Sequence, residues 1–191
     1  MNKRLHWGEQ AKARLVSVSK SETNTVCERD TVTLSYGDVM LVRIIASLRA
    51  GVNRSIGTKD VKRGPQDGFY TDLLGVAGEL AFAKRFNLFP DLTFSPRSGG
   101  HDFVMRNGHT ADVKTTDRGD GRLLVTPKKR GDPSDVYFLL VGEVPLFKIM
   151  GYAKAKQVFD DGNLTNFGRG TCYALTQDQL QQDTRLLEEY T

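Results

Sequence analysis

Polar and apolar residues alternate in two neighbouring segments of the chain, residues 102–105 and 110–114. This period of two is typical of β-strands with one buried and one open face. Asn107-Gly108 separates the segments and is a strong hairpin-turn signal. The pattern therefore predicts a β-hairpin in the middle of the chain.

The length of the hairpin loop decides which side chains share a face. A two-residue Asn107-Gly108 loop would place Asp102 and Asp112 on opposite faces of the hairpin. A three-residue loop, with Gly108 in the left-handed conformation, would instead pair Asp102 with Asp112. We favour the second register because it gives one apolar face, made of Phe103, Met105, Ala111 and Val113, and one polar face, made of Asp102, Val104, Thr110, Asp112 and Lys114.

Two carboxylates on facing strand positions, about 5 Å apart, repel each other unless a cation neutralises them. Lys114 could do so as an ion-pair partner, giving an ordinary surface salt-bridge cluster. A divalent cation could also do so, because Mg²⁺ is held by one or two carboxylates together with water and phosphate oxygens. The hairpin alone leaves both interpretations open.

Helical periodicity predicts two core helices before the hairpin. Ser35 and Asp38 form a capping box, and the first helix then ends at Gly51. Its predicted apolar face consists of Leu41, Ile44, Ile45 and Leu48. The second helix covers residues 71–86 and has a wide apolar arc, which consists of Leu73, Val76, Ala77, Leu80, Ala83 and Phe86. Residues 53–68, between the helices, are polar and predict a surface loop.

Glu79 lies within the apolar arc of the second helix, which predicts an inward-facing carboxylate. Such a group must be paired or bound to a metal, because burying an isolated charge is unfavourable. Gly75 and Gly78 lower the helix propensity by about 1 kcal/mol each relative to Ala, and close approach to a strand would explain them. Glu79 is therefore a third candidate functional acid.

The rest of the chain completes an α/β pattern. Residues 136–142 are continuously apolar, as in a central strand buried on both faces. Further short strands are predicted at residues 15–18, 91–98, 123–127, 147–152 and, at a sheet edge, 173–175, with a short helix at 153–159. Thr176 and Gln179 predict the start of a C-terminal helix. We interpret residues 1–191 as one domain: an N-terminal helical and loop extension (1–68), a core (69–160), and a C-terminal strand and helix (161–191).

Positive charge is concentrated around the hairpin. The net charge is +4, and residues 97–130 contain eight Lys and Arg against four Asp. This favours a polyanionic partner. The candidate nucleic-acid contacts are Thr115, Arg118, Arg122, Lys128, Lys129 and Arg130. No secretory signal or membrane-span pattern is seen, and the two distant cysteines predict free thiols, so we expect a cytoplasmic protein without membrane partners.

Around these acids the sequence resembles the PD-(D/E)XK nuclease superfamily, also called restriction-endonuclease-like, including small members encoded by bacteriophages. The resemblance covers residues 71–152 and depends on GVAGELAF around Glu79, GGHDF around Asp102 and ADVKTT around Lys114. It departs from the family pattern where His101, instead of Pro, precedes Asp102. The resemblance implies a central mixed β-sheet flanked by helices, with an αβββαβ core.

The resemblance also implies catalytic roles for Glu79, Asp102, Asp112 and Lys114. Mg²⁺ or Mn²⁺ would be held by Asp102, Asp112 and the Val113 carbonyl, with Glu79 holding a second ion or its water. Lys114 would orient or deprotonate the attacking water. The chain would then be a metal-dependent DNA endonuclease acting in the cytoplasm, that of the host cell if it is phage-encoded.

Several alternatives stay open. RNA is an alternative substrate, and a homodimer would provide two sites for double-strand cleavage. The alternative function is a non-catalytic nucleic-acid-binding or protein-interaction module on the same fold. Zinc hydrolase, acyl-transfer and ATP-driven chemistry have little support, because the sequence lacks H-x-x-x-H, G-x-S-x-G and P-loop motifs.

Overall fold

The computed structural model describes residues 30–55, 68–93, 100–168 and 170–182. The predicted strand at 15–18 and most of the predicted loop at 53–68 lie outside these residues. The helices and strands in chain order are β1 Thr31–Thr33, α1 Tyr36–Ser55, α2 Gly68–Phe86, β2 Phe103–Val104, β3 Thr110–Thr116, β4 Leu123–Val125, β5 Val136–Glu143, β6 Leu146–Lys154, α3 Ala155–Val158, β7 Leu164–Asn166 and β8 Thr171–Leu175.

The protein is an α/β protein with a mixed five-stranded sheet in the order β1-β6-β5-β3-β2. β3 and β5 run parallel, whereas the other neighbouring pairs in this sheet are antiparallel. The predicted mixed sheet is therefore confirmed. As the run of apolar residues in β5 predicted, this strand lies at the centre of the sheet and is buried along seven of its eight residues.

Two hydrophobic cores lie on opposite faces of this sheet. α1 and α2 cover one face, where Phe82, Phe103 and Phe138 pack together. The other face is covered by a three-stranded antiparallel sheet, β4-β8-β7, which packs Leu123 and Leu175 against Leu139. Within the described residues, long helices therefore flank one face of this sheet only. The second sheet takes the place of the expected helical layer on the other face. Residues 173–175, predicted as a strand at a sheet edge, belong instead to β8, the middle strand of this second sheet.

α1 begins as the sequence predicts, because Ser35 and Asp38 exchange hydrogen bonds between side chain and backbone. The predicted end at Gly51 is wrong, since the helix continues to Ser55. The predicted apolar face is also partly wrong: Ile44 and Leu48 are exposed. The face that packs against the core is instead rotated toward small residues and consists of Val42, Ile45, Ala46 and Ala50.

α2 packs closely against β3 at Gly78. A Cβ atom added to Gly78 would lie 1.9 Å from Thr115 Oγ1 and 2.8 Å from Thr115 Cβ, so only glycine fits there. The prediction that close packing explains Gly78 is confirmed, whereas Gly75 has no atom within 4 Å of such a Cβ. This contact sets the distance between the helix that carries Glu79 and the strand that carries Asp112.

The C-terminal region differs from the prediction. Thr176 and Gln179 do form a capping box, but it starts a single 3₁₀ turn, Gln177–Gln179. Gln181 then forms a β-bridge with Tyr152, and the following residues lie outside the described part of the chain. No helix among the described residues has the length and apolarity needed to cross a membrane.

Replacement of Gly78 tests the close packing of α2 on β3. We expect Gly78→Ala to lower the free energy of unfolding by about 1–3 kcal/mol, because overpacking forces the helix away from Thr115. Gly75→Ala is the matched control and should stabilise the helix by up to about 1 kcal/mol. Urea unfolding followed by circular dichroism measures both; equal effects of the two variants would contradict the proposed clash.

Candidate active site

The hairpin has the three-residue loop that the sequence favours. Gly108 has a φ of 87°, and the Met105 N–H donates to the His109 carbonyl at 2.7 Å. Regular pairing joins Phe103 to Ala111 and Val104 to Thr110, which is the predicted register. As predicted, the face that carries Phe103 and Ala111 belongs to the core beneath the helices.

Asp102 lies just before β2 and binds the backbone of β3 directly. Its N–H donates to the Ala111 carbonyl at 2.9 Å, and its Oδ2 accepts the Val113 N–H at 2.8 Å. The side chain thus takes the place of a strand partner where β2 no longer pairs with β3. As a result, the Asp102 carboxylate is fixed at the edge of β3.

Asp112 is the most buried acid of the site, with 1% of its surface exposed. Its Oδ1 is ion-paired with Lys114, as the sequence suggested. Its Oδ2 lies 2.7 Å from Lys129 Nζ, a contact that the sequence did not reveal. Asp112 and Tyr137 occupy paired positions on β3 and β5, so the carboxylate lies over the central strand.

Glu79 is 9% exposed, which confirms the predicted inward-facing carboxylate. Its Oε2 lies 3.0 Å from Arg49 Nη1, and both side chains are largely buried. The guanidinium also donates to the carbonyls of Asp91 and Thr93, at 2.8 and 3.1 Å. Arg49 therefore connects α1, α2 and the chain segment that precedes the hairpin.

Sequence reasoning missed Arg49, although a signal was present. The buried face of α1 includes Val42, Ala46 and Ala50, and Arg49 lies beside it at helical spacing. An arginine next to a buried face is a natural partner for an inward-facing acid, because a buried charge needs a neutralising neighbour. The predicted apolar face of α1 included Leu48, which is exposed, so the buried side of the helix was predicted partly incorrectly.

The other two acids act on Asp102 electrostatically. Burial, together with the charges of Asp112 and Glu79, raises the pKa of Asp102 from its ordinary 3.8 to about 6, whereas Lys114 and the Val113 N–H oppose the shift. A carboxyl with a pKa near neutrality, next to a second carboxylate, is typical of functional sites.

The residue types fit a hard divalent cation. Asp102 and Asp112 supply carboxylate oxygens, the ligands that Mg²⁺ prefers, and one or two carboxylates suffice for this ion. Asp112 Oδ1 is buried and has no hydrogen-bond donor in the described part of the chain, because its contact with Lys114 lacks hydrogen-bond geometry. Among the described residues, no group of three or more His, Cys, Asp or Glu is close enough to hold a metal, so Glu79 does not complete such a set.

Of the six predicted nucleic-acid contacts, the structure brings only Lys129 to the acids. Thr115 is directed into the protein beneath α2, where its hydroxyl is buried without a hydrogen-bond partner among the described residues. Phosphate cannot reach it there. Thr115 is therefore explained by packing against Gly78, a role that the spacing of the sequence could not distinguish from phosphate binding.

The other four predicted contacts are exposed basic residues. Arg118 is ion-paired with Asp120, and Arg130 contacts Asp161 and the Tyr173 hydroxyl, both at 2.8 Å. Arg122 lies over the ring of Phe167, with 5.8 Å between its guanidinium carbon and the ring centroid. These residues contribute positive surface around the site without contacting its carboxylates.

A cavity of about 630 Å³ adjoins Asp102. Its lining is mostly apolar and consists of residues 88–93 and 102–104. The volume is in the range of pockets that bind small molecules or single nucleotides. The site is therefore open to a ligand on the side of β2.

These features define an α/β protein in which buried acids meet partly exposed lysines at the edge of a mixed sheet. The chain belongs to DUF5843, a family of unknown function, whose model matches residues 49–190. No curated protein and no solved structure matches the chain.

The raised pKa of Asp102 predicts a stability gain when its charge is removed. Between about pH 4 and 6 the folded protein binds more protons than the unfolded chain, so its stability falls as the pH rises through this window. We expect Asp102→Asn to raise the Tm at pH 8 and to lose this advantage at pH 4. Asn can still accept the Val113 N–H.

The exposed Asp120→Asn serves as the control for Asp102→Asn and should show no such gain at pH 8. Thermal melts monitored by circular dichroism at both pH values measure the difference. A lower Tm of Asp102→Asn at pH 8 would contradict an unfavourable charge at this position.

The Arg49–Glu79 pair predicts non-additive effects on stability. Arg49→Met should lower the free energy of unfolding by about 3 kcal/mol, because it leaves a buried carboxylate without this partner. The double variant Arg49→Met/Glu79→Gln should recover much of the lost free energy of unfolding. Arg43→Met, on the exposed side of α1, is the control, and additive effects in a double-mutant cycle would argue against coupling.

Proposed function

We propose that this protein is a metal-dependent nuclease that hydrolyses phosphodiester bonds in DNA, most simply as an endonuclease. The observation that carries the proposal is the meeting of Asp102, Asp112 and Lys114 at the open edge of β3. Two interacting carboxylates beside a lysine are suited to a negatively charged phosphodiester, which needs both a cation and a proton acceptor.

We further propose that α2, β2, β3 and β5 form a restriction-endonuclease-like core. In support, an acid on the helix, an acid before the first hairpin strand and a D-x-K sequence on the second strand occur in the order of that superfamily. The parallel pairing of β3 with the buried β5 also suits such a core. The connection from β3 to β5 differs, since residues 117–135 contain β4 and a 3₁₀ turn instead of a long helix.

Asp102, Asp112 and the Val113 carbonyl are the groups that would hold Mg²⁺ or Mn²⁺. Such an ion would neutralise charge on the phosphate oxygens and make water more acidic. Lys114, two residues from Asp112 on the same strand, would orient the attacking water or the phosphate. Glu79, ion-paired with Arg49, would help to keep the pKa of Asp102 raised through its negative charge.

The surroundings of the site suit a nucleic acid. Exposed Arg118, Arg122, Lys128 and Arg130 provide positive charge for the phosphate backbone. The cavity beside Asp102 has room for a nucleotide, with Phe89 exposed at its lining. DNA is the substrate that we favour, RNA is the alternative, and a homodimer would allow cleavage of both strands.

A non-catalytic nucleic-acid-binding or protein-interaction module is the second candidate function. The observation that favours it is that lysines already neutralise Asp112 and that Arg49 is bound to Glu79. In such a protein the acids and bases would stabilise the fold, and the basic surface alone would bind the partner.

Cleavage assays separate the two candidates. Linear, nicked, single-stranded and branched DNA, together with RNA, are incubated with the purified protein in Mg²⁺, Mn²⁺ or EDTA. We expect cleavage that EDTA abolishes and that Lys114→Ala lowers at least about 10²-fold, the contribution typical of a positioned acid or base. Asp112→Asn should be inactive.

Lys156→Ala, which removes an exposed lysine on α3, is the matched control and should keep full activity. Cleavage that is unchanged in Lys114→Ala would contradict the proposed site. The absence of any cleavage, together with salt-dependent DNA binding that survives Asp112→Ala, would support the non-catalytic alternative.

A further inference from the structure

Lys129 reaches the buried acid from a separate part of the chain. It belongs to the 3₁₀ turn Pro127–Gly131, between β4 and β5. Its Nζ lies 2.7 Å from Asp112 Oδ2 and donates to the Gly100 carbonyl, two residues before Asp102. The neighbouring Lys128 and Arg130 are exposed, so Lys129 alone in this basic triplet is directed at the site.

Asp112 thus has one ammonium group at each carboxylate oxygen. One positive charge is enough to neutralise a carboxylate. The second lies beside further acids, because the charges of Asp112 and Glu79 both act on Asp102. Arg49 is shared between Glu79 and the Asp91 carboxylate, which lies 3.7 Å away. While Lys114 and Lys129 both stay at Asp112, an incoming divalent cation gains little electrostatic attraction there.

The two lysines differ in how firmly they are placed. Lys114 is fixed to Asp112 by their spacing on the same strand, where alternation puts both on one face. Lys129 is less exposed than Lys114, 22% against 34%, but its long side chain reaches Asp112 from a short surface turn outside the strand. Lys129 is therefore the base that can leave Asp112 without disturbing β3.

We propose that Lys129 occupies Asp112 Oδ2 in the metal-free protein and is exchanged for a divalent cation, after which its ammonium group binds the substrate phosphate. This inference rests on the proposed function, because it concerns the same carboxylate. Lys129 then contacts the substrate directly and couples metal binding to nucleic-acid binding. The charges explain the exchange. The ion brings positive charge to Asp112 and so replaces Lys129, and the phosphate brings negative charge that the released ammonium group can bind.

Binding of Mn²⁺ alone, measured by calorimetry on the full chain without DNA, tests the exchange. We expect Lys129→Met to bind Mn²⁺ at least about tenfold more tightly than the wild type, because the competing ammonium is gone. Lys128→Gln removes the same charge from the adjacent exposed position and should leave the affinity for Mn²⁺ within about twofold. Asp112→Asn should abolish binding in both backgrounds.

Lys129→Gln is the second variant, because its amide can still donate to Asp112 where Met cannot and so maintains the fold. Thermal melts with and without Mn²⁺ give an independent readout, since an ion that binds only the folded state raises the Tm by an amount that grows with the logarithm of its affinity. Both neutral variants should show a larger Mn²⁺-induced rise in Tm than the wild type.

DNA binding supplies the other half of the test. Fluorescence anisotropy compares the affinity in Ca²⁺, used as a substitute ion, with that in EDTA. Lys129→Met should weaken DNA binding in Ca²⁺ and have no effect in EDTA, where Lys129 is held by Asp112. Lys128→Gln should weaken binding equally in both. Equal effects of Lys129→Met in Ca²⁺ and EDTA would overturn the transfer of Lys129 to phosphate.

The outcomes distinguish the inference from the proposed function. Equal, Asp112-dependent Mn²⁺ affinity in the wild type and Lys129→Met overturns the exchange but leaves a metal-dependent nuclease intact. Mn²⁺ binding by Lys129→Met but not by the wild type supports competition between Lys129 and the ion for Asp112. The same result contradicts metal-dependent activity in the wild type. The absence of Asp112-dependent binding in every variant overturns both.

Discussion

The burial of the Asp112 carboxylate is the constraint on which the site depends. An ionised carboxylate with 1% exposure is tolerated only with close positive partners, since removing it from water is very unfavourable. Lys114 and Lys129 provide these partners, and Lys129 also binds the Gly100 carbonyl. The need to neutralise this one group thereby positions a strand, a turn and the segment leading to Asp102.

Glu79, on α2, is neutralised in the same manner by a basic partner from another element. Arg49 neutralises Glu79 and uses its remaining donors on the Asp91 and Thr93 carbonyls. Gly78, one residue before Glu79, lets α2 approach β3 closely, and the charges of both Glu79 and Asp112 act on Asp102. Burial and the like charges of Asp112 and Glu79 together raise the pKa of Asp102 to about 6, at the price of stability above that pH.

The sequence was most informative where local rules decide the structure. Gly108 supplies the left-handed residue of the loop that aligns Phe103 with Ala111, and the apolar arc of α2 places Glu79 inward. It was least informative where partners come from distant segments. Periodicity alone could not show that α1 turns its small residues inward, because its apolar residues extend around the helix. Likewise, the sequence could not show which acids Arg49 and Lys129 contact, because folding brings their elements together.

The pairing of β4 with β8 has a consequence for the order in which the site is completed. β4 immediately precedes the turn that carries Lys129, whereas β8 is formed by residues 171–175. During synthesis on the ribosome, Asp102, Asp112 and Lys114 therefore emerge well before the strand that anchors the Lys129 turn. The nascent chain carries its acids without this lysine anchored until β8 has also been made.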